Sequence, residues 1–217
     1  MNCRNCKFKI KQNLFSLGEI SFTGKFPKNK KINIPKKFLN LSMCDKCKLV
    51  QLDRNFNKKY LYGDDYGYRT GLNKTMTNHV KSVVRSVEKN VELRKDDYVL
   101  DIGSNDGTML NFYNNNLNKV GIDPIIYKFK KNYKEIKFPI NSFFNKKNIN
   151  RKIGKKKFKV ITALSMFYDL ENPNKFLKDI KSLLDKNGIF ILEHADLLSI
   201  IKNNIFDTIC HEHLEYY

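Results

Sequence analysis

Val99-Leu100-Asp101-Ile102-Gly103-Ser104-Asn105-Asp106-Gly107-Thr108 decides how this chain folds. Two apolar residues, an acid and Ile102 predict a short buried strand. Gly103 and Gly107 then bracket a turn, and Met109, Leu110, Phe112 and Tyr113 predict an apolar helical face beyond it. Strand, glycine turn and helix make the first half of a nucleotide-binding βα unit. A side chain at either glycine would hold a ligand off the backbone, and glycine tolerates the positive φ of a reversal. A second strand is predicted over Val120-Gly121-Ile122-Asp123. Its closing acid stands 20 positions beyond Gly103 (123 − 103), the offset at which a carboxylate reaches ribose hydroxyls.

A dinucleotide fold would favour glycine where Asp101 stands and would supply three phosphate-facing glycines. Asp101 to Gly107 instead resembles motif I of S-adenosylmethionine-dependent methyltransferases. The plain alternative is a structural βα turn that holds no ligand.

The 217 residues suffice for one substantial domain and a small one. A formal charge of +19 raises nucleic acid or an anionic membrane as partners. The lysines, however, are scattered through predicted helices, loops and strand edges and travel with abundant asparagine and isoleucine, the trio that AT-rich codon bias produces. An anionic small substrate also suits a basic surface. No apolar run approaches ~20 residues, so no membrane span is expected. The N-terminus enters a cysteine pair without the apolar core of a signal peptide, which predicts a cytoplasmic protein.

Cys3-Arg4-Asn5-Cys6 and Cys44-Asp45-Lys46-Cys47 are two C-x-x-C knuckles separated by residues 7–43. Each pair can set two thiolates on one side of a metal, and together Cys3, Cys6, Cys44 and Cys47 complete a tetrahedral zinc site. Disulfides compete, but a reducing cytoplasm disfavours them. Four protein ligands leave no open position, so this zinc holds structure and does not catalyse. Cys210 stands apart. Leu14, Phe15, Leu17, Ile20, Phe22 and Phe26, broken by Gly18, Gly24, Pro27 and Pro35, predict short strands or loops around the metal. Leu49-Val50-Gln51-Leu52 reads as an edge strand leaving the module.

Residues 60–71 form a glycine- and tyrosine-rich linker, which either covers the core edge or acts as a lid with hydroxyls toward a ligand. Met76, Val80, Val83, Val84, Val87 and Val91 recur at helical spacing. His79 flanks that stripe with nothing to mark it as a ligand. Further strands are predicted at Pro139–Phe144, Phe158–Leu164 and Gly188–Glu193. Between the last two, Asn172 caps a helix with Pro173 in its first turn and Gly188 at its end. Alternating strands and helices predict an α/β parallel sheet with ligands at strand carboxyl ends. The domains expected are a zinc-binding module (1–58), a linker with its leading helix (59–91) and a methyltransferase domain (92–217).

The last motif, Phe206-Asp207-Thr208-Ile209-Cys210-His211-Glu212-His213-Leu214-Glu215-Tyr216-Tyr217, crowds imidazoles and carboxylates together. His at i and i+2 do not share a helical face, and this is not H-E-x-x-H, so proton transfer suits it better than metal binding. A solvated polar tail is the plain alternative.

In this order the motifs resemble the deoxysugar C-methyltransferase family, which adds a branching methyl to nucleotide-linked ketosugars. The resemblance rests on both knuckles, Leu49 to Leu52, Asp101 to Gly107, Met166-Phe167-Tyr168-Asp169-Leu170-Glu171, and Asp207 to Tyr217. It implies an N-terminal zinc module, a Rossmann-like class I methyltransferase sheet and a C-terminal domain. Since Tyr217 falls before the sheet's last strands and that domain, the chain reads as a fragment of a longer enzyme. The resemblance implies S-adenosylmethionine contacts for Asp101, Gly103, Asn105, Gly107 and Asp123. It also implies His213 as catalytic base, with His211 and Glu212 in the site. Cys210 stands where family members often carry tyrosine, and a histidine some members have near Asp169 is absent. The implied reaction removes a proton next to a ketone and transfers a methyl group to that carbon.

Two rivals remain on sequence grounds. One is a zinc-knuckle nucleic-acid-binding protein with a degenerate methyltransferase domain, motivated by the charge; it predicts salt-sensitive RNA or DNA binding. The other is an O- or N-methyltransferase on a small acceptor. Neither the sugar nor the oligomeric state is set by the sequence.

Overall fold

The computed structural model describes residues 1–217 except 25, 26 and 28 and the side chain of Lys59. Phe26, counted above among the apolar residues between the knuckles, lies outside the described residues. The first elements are β1 (Phe15–Ser21), β2 (Lys36–Met43), β3 (Val50–Leu52), α1 (Lys58–Leu61) and α2 (Lys74–Asn90). Then come β4 (Tyr98–Ile102), β5 (Asn118–Asp123), β6 (Phe138–Asn141), α3 (Lys146–Ile153) and β7 (Phe158–Leu164). The chain continues through α4 (Pro173–Leu183), β8 (Leu184–Glu193), α5 (Leu197–Lys202) and β9 (Glu215–Tyr216). No helix among the described residues is long and apolar enough to cross a membrane.

Two compact units result, and neither is continuous in sequence. One comprises Met1–Gly67, Ser165–Phe176 and Glu193–Tyr217; the other comprises Tyr68–Leu164 and Leu177–Leu192. These units cut across the linear division at 58 and 91. The physical reason is β9, which pairs antiparallel with β3 and so draws the chain's last residues into the N-terminal unit.

The second unit carries a parallel α/β sheet in the order β6-β5-β4-β7-β8. The β4/β5, β4/β7 and β5/β6 pairs are all parallel. All six residues of β5 are buried, as are Val99 to Ile102 in β4. Parallel strands are covered on both faces, so β4 is apolar-rich and β5 buries even Asn118 and Lys119. Val80, Val84 and Val87 of α2 supply part of that cover, and the Asn73 side chain caps the helix by accepting from the Met76 amide. From β4 the chain steps outward to β5 and β6, then returns to β4's other side as β7. That reversal is the topological switch point at which open α/β sheets bind ligands.

Two local expectations are corrected here. After the glycine turn only a short 3₁₀ turn forms, Leu110–Phe112, and no helix. Asn114, Asn115 and Asn116 follow at once, and asparagine favours turns over helix interiors. Gly188 does not end α4, which stops at Leu183; it sits inside β8. A Cβ there would meet the Phe158 carbonyl oxygen at 2.6 Å, so close backbone approach is what demands glycine.

The first unit is built on an antiparallel sheet ordered β1-β2-β3-β9. Val50–Leu52 is thus an inner strand, not the expected edge, and all three of its residues are buried. Its core gathers Phe22, Leu39, Leu41, Leu52, Phe56, Ile200, Leu214 and Tyr216. A small satellite cluster holds Cys3, Ile10, Cys44 and Leu49, with Cys6 and Cys47 packed against it.

Candidate functional site

At the carboxyl end of β4, three positive-φ residues shape the motif loop: Gly103 (73°), Asn105 (48°) and Gly107 (77°). A Cβ on Gly107 would lie 2.8 Å from Ile136 Cδ1, a side-chain end that can shift, so the positive φ is what calls for glycine there. The Asn105 amide donates to Asp123 Oδ2 (2.9 Å), and the Ile125 amide donates to Asp123 Oδ1 (2.9 Å). Burial raises the Asp123 carboxyl above its ordinary range, against the lowering effect of those two amides. Each carboxylate oxygen keeps a second lone pair after one amide bond, a donor-hungry set that matches ribose hydroxyls.

Asp101 lies beneath this loop, fully enclosed, and accepts a 2.6 Å hydrogen bond from the Thr162 hydroxyl on β7. Burial pushes its carboxyl up to about 7; the Thr162 bond lowers it and the Asp123 charge raises it further. An acid whose folded pKa exceeds the 3.8 of the unfolded chain binds more protons when folded. Its contribution to stability is therefore fully present below pH 3.8 and is lost as pH rises to about 7. Asp101→Asn removes the buried charge, so thermal unfolding should show little change near pH 4. Above pH 7 the variant should be more stable, by a few kcal/mol on linkage arithmetic. Equal midpoints at pH 8 would show that the carboxylate is not carrying this cost.

The Asn105 side chain is already engaged. Its Oδ1 accepts from the Thr70 amide (3.0 Å) and its Nδ2 donates to the Tyr68 carbonyl (3.2 Å). Asp106, wholly buried, accepts from Arg69 Nε (2.9 Å), the Gly71 amide (3.0 Å) and the Thr108 hydroxyl (2.6 Å). A Cβ on Gly71 would fall 2.7 Å from both Asp106 Oδ2 and Thr108 Oγ1. The end of the tyrosine-rich segment, 68–71, is therefore strapped onto the motif loop. Sequence reasoning did not find Asp106 or Arg69 as its buckle; the signal was a second acid inside the glycine bracket. It also missed Tyr133, whose hydroxyl bonds Ser104 Oγ (2.8 Å) and the Asn105 carbonyl (3.0 Å). Nothing in the lysine-rich stretch around Tyr133 marked it.

In the other unit, His213 is half-buried, with Nδ1 2.7 Å from the Thr208 carbonyl oxygen and its ring 4.2 Å from that of Tyr168. A carbonyl only accepts, so Nδ1 carries the proton and Nε2 presents its lone pair. Burial lowers the His213 pKa, opposed by the Thr208 carbonyl and the Glu212 charge, which keeps the ring neutral near pH 7. Glu212 Oε2 accepts from the Thr23 hydroxyl at 2.7 Å. In the same unit, the Tyr62 hydroxyl donates to Asp169 Oδ2 (2.7 Å), and burial raises the Asp169 carboxyl strongly, aided by Glu212 and Glu215.

His211 does not join this group, contrary to the expectation that it shares the chemistry. Its ring is 0% exposed, wedged between Phe22 (4.7 Å) and Phe56 (4.8 Å). Enclosed by aromatic rings, with Nε2 3.4 Å from the Lys37 carbonyl oxygen, it packs in the first unit's core.

The four knuckle cysteines converge. All four sulfurs lie within 4.8 Å of one another, with Cys3–Cys47 and Cys6–Cys44 at 3.5 Å and no disulfide among them. Tetrahedral zinc with ~2.3 Å bonds needs sulfurs ~3.8 Å apart, so the donor set fits that metal. The two knuckles also repeat one turn. In each, the first cysteine's amide bonds a carbonyl five residues on (Phe8 or Leu49, both 2.9 Å), and a lysine adopts positive φ (Lys7, 63°; Lys48, 62°).

A parallel sheet with a glycine-bracketed loop at its switch point, and an acid closing the next strand, defines a Rossmann-like class I methyltransferase fold. Residues 74–217 match the family model described as "Methyltransferase domain", and the chain belongs to that family. A curated relative, C-methyltransferase NovU of Streptomyces niveus, is 24% identical over 186 residues, covering 82% of this chain and 43% of the relative. The chain thus spans less than half the length of that relative. Among solved structures, the plantazolicin methyltransferase BpumL aligns over 58% of this chain and 49% of its own, with 20% identity and a TM-score of 0.45. An S-adenosylmethionine-dependent methyltransferase from Clostridium acetobutylicum aligns over 57% of this chain and 51% of its own, with 17% identity and a TM-score of 0.44.

Proposed function

We propose that this chain is the zinc-binding and methyltransferase portion of an S-adenosylmethionine-dependent C-methyltransferase acting on a nucleotide-linked ketosugar. The observation that carries the carbon-methylation reading is His213. A neutral imidazole, fixed by Nδ1–H on Thr208, offers Nε2 as a base for a carbon-bound proton next to a ketone. The C-methyltransferase relative supports the same reading. In O- or N-methylation a base need not abstract a carbon-bound proton.

When bound, S-adenosylmethionine supplies an electrophilic methyl group. Asp123 is assigned to the ribose hydroxyls, with Gly103 and Gly107 giving backbone access and Asp101 setting the loop's floor. Asn105 contributes its backbone and holds residues 68–70 in place. His213 Nε2 takes the proton, and Glu212 favours the imidazolium that forms. Cys3, Cys6, Cys44 and Cys47 hold structural zinc.

Incubating the complete reading frame with nucleotide ketosugars and labelled cofactor tests the assignment. Label should appear on a carbon adjacent to the ketone; label on oxygen or nitrogen would overturn it. Asp123 is tested separately by calorimetry. Charge-assisted hydrogen bonds contribute ~1.5–3 kcal/mol, so Asp123→Ala should weaken cofactor binding by about one to two orders of magnitude. Equal affinities would remove Asp123 from the cofactor site.

A further inference from the structure

We infer that Cys210, Glu212 and His213 form a second, three-ligand zinc site, distinct from the four-cysteine cluster. The Cys210 thiol, a Glu212 carboxylate oxygen and a His213 ring nitrogen all lie within 4.8 Å of one another. Cys210 is 5% exposed, so its sulfur is held in the fold beside the other two groups. Thiolate, imidazole and carboxylate together select zinc over the hard cations magnesium and calcium. Two of the three ligands already have outer-shell partners. His213 donates Nδ1–H to the Thr208 carbonyl, the support that metal-bound imidazoles commonly have, which leaves Nε2 to bind. Glu212 is steadied by the Thr23 hydroxyl on one oxygen.

Ligand atoms around tetrahedral zinc stand ~3.3–3.8 Å apart, so side-chain shifts of about 1 Å close the site. As the zinc–sulfur bond forms, the Cys210 proton leaves to solvent. Three protein ligands leave the fourth position to water or another small donor. Zinc here occupies the lone pair that removes the substrate proton, so metal occupancy and catalysis exclude each other; that consequence alone rests on the base assigned above.

The test is metal stoichiometry on the intact, reduced chain, with Zn²⁺ and Co²⁺ as probes. Wild type should bind two zinc ions, one of them weakly enough to be removed by a mild chelator. Cys210→Ser and Glu212→Gln should each weaken only the second ion, by more than the ~10–100-fold that loss of an outer-shell partner costs. Cobalt added to protein already holding one zinc should give a thiolate-to-metal charge-transfer band. The band should vanish in Cys210→Ser. Glu212→Gln, at a half-buried position, covers the case in which Cys210→Ser does not fold. A single zinc per chain, or a second ion indifferent to both substitutions, overturns the site. Loss of turnover plays no part in the readout, so failure of the methylation reading leaves this result unaffected.

Discussion

His213→Ala should cut turnover on a nucleotide ketosugar by ~10²–10⁴-fold, the usual contribution of a positioned general base. That range corresponds to ~3–5 kcal/mol of transition-state stabilisation. Cofactor affinity should barely change, because Asp123, the acid proposed for the ribose, belongs to the other unit. Proton removal is separable from methyl transfer. If wild type exchanges the substrate's α-hydrogen with deuterated water, the exchange should disappear with the imidazole. His211→Ala should behave differently: it empties a ring-sized space between Phe22 and Phe56 and should lower the melting temperature. If the tyrosine-rich linker is a lid, the Tyr66 or Tyr68 hydroxyl becomes a rival base, and each predicts that its own loss stops exchange. Normal exchange in His213→Ala would leave the carbon-methylation label standing and overturn this mechanism.

Removing the metal from Cys3, Cys6, Cys44 and Cys47 should unfold the first unit's sheet. Structural zinc contributes ~10–16 kcal/mol of apparent binding free energy, as large as the ~5–15 kcal/mol net stability of a whole domain, so its loss outweighs the margin that the sheet's own core leaves. Cys6→Ser or strong chelation should therefore abolish hydrogen-exchange protection in β1, β2 and β3. Protection should also be lost at Glu215 and Tyr216, which pair with Gln51 and Val50. The parallel strands β4, β5 and β7 should stay protected, since their core of Val84, Val99, Leu110 and Val160 is separate. Elemental analysis that finds no metal in reduced, carefully purified protein would defeat the assignment, as would protection that survives chelation.

The parallel sheet was legible because its signals are local. Residues 99–102, 120–122 and 158–164 carry the apolar residues of doubly covered strands, and α2's valines recur every three or four residues. The candidate ligands were legible for the same reason: C-x-x-C spacing and a glycine bracket are properties of a few consecutive residues. Where the reading failed, the deciding partner was remote in sequence. Leu49 to Leu52 looked like an edge until Glu215 and Tyr216 were seen beside it. The Asn105 side chain reads as free until the Thr70 amide is found on its oxygen. His211 and His213 are near-identical in the sequence, yet one is locked between aromatic rings and the other keeps a nitrogen open. By itself, the sequence determined the central parallel strands, the leading helix and the methyltransferase class, because backbone propensity and motif spacing are short-range properties. Only the tertiary structure decided which side chains share an environment: the strap on the motif loop, the discontinuous units and the Cys210–Glu212–His213 cluster. Burial and pairing are set by contacts between residues up to 210 positions apart, as for Arg4 and Leu214, and no local pattern encodes them.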